Sequence, residues 1–128
     1  MKILVVEDSS SMRAYLTTLL EGGELHDLEI VEAASGFEAL KMLPHHRFDA
    51  ILTDINMPDI NGLELVSFLK NHPVYKQIPV MVISTESSDE DQRRAVALGA
   101  EEYLVKPFQP AQLQEKLGRL LKGTMAKG

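Results

Sequence analysis

The sequence has no cysteine at all. That excludes a disulfide framework, a thiolate metal site and a thiol nucleophile, and it favours an intracellular setting. Basic charge is also scarce: 13 Lys and Arg stand against 19 Asp and Glu, for a net charge of −6. A nucleic-acid surface needs clustered Lys and Arg, so none is expected. Long hydrophobic runs are missing as well. The opening "MKILVVEDSS" has four apolar residues, Ile3 to Val6, before Glu7 and Asp8 interrupt it. Such a run is too short for a signal peptide or a membrane span, and the expected location is the cytoplasm, with no membrane contact. Internal repeats, low-complexity tracts, interior linkers and a Gly-rich nucleotide loop are all absent. What remains is 128 residues, 45% hydrophobic and 25% charged, the composition of one globular domain around a sizeable core.

Short β-branched runs alternate with longer stretches of helical period. Strands are predicted at Lys2–Val6, Glu29–Ala33, Asp49–Thr53, Val80–Ser84 and Glu102–Val105. Several are apolar on consecutive residues, as strands covered on both faces must be. Helices are predicted at Ser11–Glu21, Gly36–Leu43 (ended by Pro44), Gly62–Asn71, Asp89–Leu98 and Pro110–Lys122. Ser9, Ser10 and Ser11 supply N-cap chemistry for the first, and Gly99 is a natural stop for the fourth. The fourth has a thin apolar stripe, mostly Ala95, Val96 and Leu98, so it should be held less firmly than the others. The expected fold is α/β: a (βα)5, doubly wound, five-stranded parallel sheet of flavodoxin-like strand order 2-1-3-4-5. One domain, 1–122, is expected, with "GTMAKG" (123–128) as a loose tail. Ligands in such sheets bind beyond the carboxyl ends of the strands, where the strand order reverses, here between the first and third strands.

At those ends stand Glu7 and Asp8 after the first strand, Asp54 after the third, Ser84 and Thr85 at the fourth, and Lys106 and Pro107 after the fifth. One such polar residue is commonly a helix cap or a surface residue; the whole set converging on one edge is not. Close carboxylates repel and raise one another's pKa unless a positive charge intervenes. All-oxygen ligands are hard, which points to Mg²⁺, or Mn²⁺ in its place. Mg²⁺ is typically held by one or two carboxylates, so one acid is left for chemistry as a nucleophile toward phosphorus. Lys106 and the metal would cancel charge on the transferred oxygens, and the Ser84 hydroxyl would add a hydrogen bond.

The stretches "VVEDSSSMR", "LTDINMPDINGLEL", "PVMVIST" and "YLVKPF" resemble the response-regulator receiver domain of the chemotaxis (CheY-like) type over the whole chain. The resemblance implies a two-component phosphorelay switch. Asp54 would be the phosphoacceptor, taking its phosphoryl group from a sensor histidine kinase, a phosphotransfer protein or a small acyl phosphate. Asp8, Asp54 and the Asn56 main-chain carbonyl would hold Mg²⁺, with Glu7 acting through a water. Lys106 would pair with a phosphoryl oxygen, and the Lys106–Pro107 bond would be cis. Ser84 and Tyr103 would form the switch, Asn56 and Glu86 would tune the phosphate lifetime, and the face of helix 4, strand 5 and helix 5 would bind a downstream protein. Such a protein catalyses its own phosphorylation and dephosphorylation without turning over a separate substrate. It is expected to be a monomer or a weak, phosphorylation-dependent dimer. Two positions depart from the usual pattern. Glu7 stands where Asp is commoner, and Thr85 where Ala or Gly is usual, so Thr85 is expected to narrow access to Asp54 or to crowd the path of Tyr103.

Rival readings on the same fold fare worse. Two acids after the first strand would repel the phosphate of a flavin, and Asn56 replaces the second Asp that a haloacid-dehalogenase-type phosphatase needs. The receiver half of a larger transcriptional regulator and a phosphate-independent docking module remain as alternatives. His26, His45, His46 and His72 have no metal spacing and are expected at the surface in loops.

Overall fold

A computed structural model describes residues 1–23, 25, 27–85 and 89–127, the last five by backbone alone. Five strands, β1 (Lys2–Val6), β2 (Glu29–Ala33), β3 (Ala50–Thr53), β4 (Val80–Ser84) and β5 (Glu102–Val105), form one parallel sheet in the order β2-β1-β3-β4-β5. The order reverses after β2, so helices fall on both faces. Successive side chains on a strand point to opposite faces, and both sets are apolar here. Leu4, Val6, Ile51, Val80 and Val82 join one core, with Ala39, Leu63, Leu65, Val66, Leu69 and Ala95. Their neighbours Ile3, Val5, Ala50, Leu52, Met81 and Ile83 join the other, with Leu16, Leu20, Leu113, Leu117 and Leu121. The helices that supply these partners are α1 (Ser10–Glu21) and α5 (Pro110–Lys127) on one face, and α2 (Gly36–Met42), α3 (Gly62–Asn71) and α4 (Asp89–Leu98) on the other. No helix among the described residues is long and apolar enough to cross a membrane.

Helix starts follow local chemistry. The Ser9 hydroxyl accepts the Met12 N–H at the head of α1, and Ser35 accepts that of Glu38 at the head of α2. Asn61 and Glu64 form a reciprocal capping box on α3. At its end α4 turns through Gly99, whose φ of 112° suits glycine.

Several boundaries differ from expectation. α1 begins one residue early, and β3 one residue late. The second helix ends at Met42, one residue short of the predicted Leu43, and Pro44 falls in a separate 3-10 turn, Leu43–His45, at a first-turn position where a proline forfeits no hydrogen bond. α5 continues to Lys127, so the predicted tail from 123 is helical up to that residue, and a single Gly123 costs only about 1 kcal/mol in helix propensity. Val96 is exposed, which leaves Ala95 as the one fully buried residue of α4, with Leu98 packed partly against the core. Of the histidines, His45 is exposed, His46 Nδ1 lies 3.1 Å from the Lys2 ammonium, and His72 stacks on Tyr75 with ring centroids 4.3 Å apart. His26 and Glu86 lie outside the described residues.

Candidate functional site

Burial alone finds the site. Four polar or charged residues are buried among the described ones, Glu7, Thr53, Asp54 and Ser84, and all stand at the carboxyl ends of β1, β3 and β4. Buried polar groups are costly unless they are paired, so one edge of the sheet carries that cost for the whole domain.

Register explains why they meet. Val6 pairs with Thr53 and Thr53 with Val82, so the residues that follow β1 and β3 emerge side by side. The Asp54 N–H donates to the Val6 carbonyl at 3.1 Å, and the Lys106 N–H donates to the Ser84 carbonyl at 2.8 Å. Carboxylate oxygens of Glu7, Asp8 and Asp54 lie within 4.8 Å of one another. At that separation the buried pair, Glu7 and Asp54, repels by on the order of 3 kcal/mol at the effective dielectric of a protein site. The Lys106 ammonium answers part of this, at 2.8 Å from Glu7 Oε1 and 3.5 Å from Asp54 Oδ2. One ammonium against three carboxylates leaves a formal excess of two negative charges.

The remaining hydrogen bonds give each acid a different standing. Both oxygens of Glu7 are engaged: Oε1 takes Lys106, and Oε2 accepts the Ser9 N–H at 3.1 Å. Arg13 Nη1 donates to the Glu7 carbonyl at 2.7 Å, while its Nε pairs with Glu32 at 3.3 Å, so the end of β1 is held from α1. Asp54 spends Oδ1 on the Ile55 N–H at 2.7 Å and turns Oδ2 toward Lys106. Asp8 is exposed, and its carboxyl sits above the ordinary carboxylate pKa. A hydrogen bond shared with the Glu7 carboxylate is the main cause, helped by partial burial and by Glu7's charge, against its own N–H and Lys106.

The donor set suits a hard divalent cation: oxygen ligands only, an excess of negative charge, and one exposed acid through which an ion can enter. Asn56 is exposed in the loop that follows Asp54, and Thr85 is exposed beside the fully buried Ser84. Tyr103 is half-buried on β5 against the core that faces α4, and the Lys106–Pro107 bond is cis. The structure therefore brings Glu7, Asp8, Asp54 and Lys106 into direct contact range.

Three parts of the site had no role assigned from sequence. The Thr53 hydroxyl donates to the Asp54 carbonyl at 3.0 Å. Arg13 has a visible cue in lying one turn beyond Ser9 on the helix that faces the acids. Asp59, five residues past Asp54, accepts from Gly36 and Phe37 on α2; no periodicity or motif spacing connects those positions.

Comparison with known proteins agrees with this geometry. A family model described as the response regulator receiver domain matches residues 3–118. A chemotaxis protein CheY homolog of Campylobacter jejuni is 40% identical over 123 residues, 94% of this chain and 92% of that protein. The crystal structure of Vibrio cholerae CheY4 superposes with a TM-score of 0.84 at 38% identity, covering 94% of this chain and 98% of that one. The receiver domain of the sensor histidine kinase PA1611 from Pseudomonas aeruginosa superposes with a TM-score of 0.82 at 25% identity, over 94% and 97% of the two chains. That structure carries a magnesium ion in its active-site cleft. By sequence and by fold, the chain belongs to the response regulator receiver domain family and is a two-component response regulator of the CheY-like kind.

Proposed function

We propose that Asp54 accepts a phosphoryl group in a reaction that depends on a divalent cation, Mg²⁺ or Mn²⁺, and that this covalent change resets the surface formed by α4, β5 and α5. The observation that carries the reading is a half-buried lysine facing three carboxylates at one sheet edge, two of the three buried. Receiver domains are signalling proteins, and the chemistry assigned here is self-modification: the protein is its own substrate.

Asp8, Asp54 and the Asn56 carbonyl would hold the cation, which supplies charge cancellation for the phosphoryl oxygens. The chain's own groups divide the remaining work. With Oδ1 tied to the Ile55 N–H, Asp54 presents Oδ2 as the nucleophile. Its lone pair forms the new O–P bond as the N–P bond of a phosphohistidine breaks, and the imidazole keeps the departing electron pair. A small acyl phosphate donates in the same way, with its carboxylate leaving. Lys106, already within reach of Oδ2, pairs with a phosphoryl oxygen, and the Ser84 hydroxyl donates to another. Attack of water on phosphorus later restores Asp54 and inorganic phosphate, at a rate that Asn56 and Glu86 would tune. Tyr103 follows Ser84 inward and carries the change to the α4 side.

The partners on this reading are a sensor histidine kinase or phosphotransfer protein upstream, and a protein that grips the α4–β5–α5 face downstream. Incubation with an acyl phosphate, with and without Mg²⁺, followed by intact mass and peptide mapping, tests it. The expected result is a Mg²⁺-dependent adduct on Asp54 that Asp54→Asn lacks. No adduct under any condition would favour a phosphate-independent docking module.

A further inference from the structure

The loop that follows Asp54 is fixed at both ends. At its start, the Asp54 N–H is bonded to β1 and the Ile55 N–H to the Asp54 carboxylate. At its close, the Gly62 N–H donates to the Ile55 carbonyl at 2.8 Å, and a methyl group on Gly62 would overlap the Asp54 carbonyl. Asn61 is locked into the capping box of α3. The middle of the loop, which carries Asn56, is tied to a different element. Asp59 Oδ2 accepts the Phe37 N–H at 2.8 Å, and Oδ1 accepts the Gly36 N–H at 3.2 Å. Beside this pair, Ile60 lies so close to Gly36 that a Cβ there would come within 2.8 Å of the Ile60 Cβ.

These bonds exceed what α2 needs for itself. Its own Ser35 caps the Glu38 N–H at 3.1 Å, and Phe37 is 56% exposed, so water could satisfy its N–H. A carboxylate on two successive first-turn amides also matches the positive end of the helix. Accordingly the Asp59 carboxyl lies below its ordinary pKa, chiefly through the Phe37 N–H.

We propose that Asp59 is a positioning residue for the cation site: it latches the Asn56-bearing loop onto the first turn of α2 and so holds the Asn56 carbonyl in place relative to Asp54. This rests on the reading of Asp8, Asp54 and Asn56 as the cation ligands. Groups that orient metal ligands from behind typically control affinity by ten- to a hundred-fold.

Mn²⁺ titration followed by electron paramagnetic resonance of the free ion separates the latch from a helix cap. Asp59→Ala should weaken Mn²⁺ binding about ten-fold. Asp59→Asn, which keeps one acceptor oxygen, should fall between it and the parent. Ser35→Ala, which removes a cap from the same helix but leaves the loop tethered, should stay within about two-fold of the parent. Without any cation, amide exchange across residues 56–60 should quicken in Asp59→Ala and not in Ser35→Ala. Equal affinity in Asp59→Ala and parent overturns the latch, as does an equal loss in Ser35→Ala. A parent that binds no Mn²⁺ refutes the cation site itself and the latch with it, a result distinct from a binding parent and an unaffected variant.

Discussion

The two ends of the sheet use the same residue types to opposite ends. At the amino-terminal edge, the Lys70 ammonium reaches the Ile78 carbonyl at 2.8 Å, the Lys76 carbonyl at 3.3 Å and Glu101 Oε2 at 2.7 Å. The other oxygen of Glu101 accepts the Val80 N–H at 2.8 Å, so one cation and one anion satisfy each other and the backbone around them. At the carboxyl-terminal edge, one lysine is shared among three acids and cannot neutralise them. The first arrangement is complete as it stands. The second carries an excess of negative charge that a further positive charge would offset.

Perturbing each end should expose this contrast. The largest effect is expected from Asp54→Asn, which should abolish phosphoryl incorporation as read by intact mass. The same change should raise stability in cation-free buffer by on the order of 1 kcal/mol, because it removes a like charge. Next comes Mg²⁺ itself. At a hundred times Kd it should stabilise the folded parent by about 2.7 kcal/mol, visible in thermal melts, and should stabilise Asp8→Asn far less. A melting point unmoved by both Mg²⁺ and Asp54→Asn would mean that the acids do not share a site. At the opposite edge, Lys70→Ala should cost about 2 kcal/mol, roughly 5 °C in Tm, since three acceptors lose a charged donor. Its phosphorylation rate, measured on folded protein, should not change.

Smaller effects sharpen the picture at the active edge. Thr85→Ala should speed phosphotransfer or dephosphorylation by a few-fold, on the order of 1 kcal/mol of barrier, by clearing the approach to Asp54. Identical rates in both directions would remove Thr85 as a restriction. The smallest effect concerns pH. Asp59 is held below its ordinary pKa of 3.8, so its contribution to stability is present above that value and is lost as pH falls through the lowered folded-state pKa. The Tm difference between parent and Asp59→Asn should therefore be constant near neutrality and shrink below about pH 4.

Much of this was legible in the sequence because a parallel sheet turns local signals into global ones. A run of four apolar residues such as Ile3 to Val6, too short for a helix and bounded by charged residues, reads as a strand covered on both faces, and parallel strands deliver whatever follows them to one edge. That is why the sequence alone groups Glu7, Asp54, Ser84 and Lys106. Helix ends were less legible. The stretch from Gly123 reads as a tail, yet α5 runs through it to Lys127, whereas Pro44 reads as a break and α2 does end before it. Least legible were side-chain pairings across the chain. Lys106 lies 0.7 Å nearer to Glu7 than to Asp54, the difference between 3.5 and 2.8 Å, a distinction set by side-chain length and rotamer. Asp59 meets α2 across 22 and 23 positions of sequence, a contact only the folded loop creates.

The thin attachment of α4, fully buried only at Ala95, has a thermodynamic corollary. On the proposed function, a helix held so lightly would shift at small cost, and phosphorylation at Asp54 would need to supply only a modest free energy to move it. Coupling of that kind runs in both directions. A protein that grips the shifted α4 would then favour the phosphorylated form by the same factor by which phosphorylation favours its binding. The downstream partner would then be a second input, able to raise the equilibrium level of phosphorylation without touching Asp54.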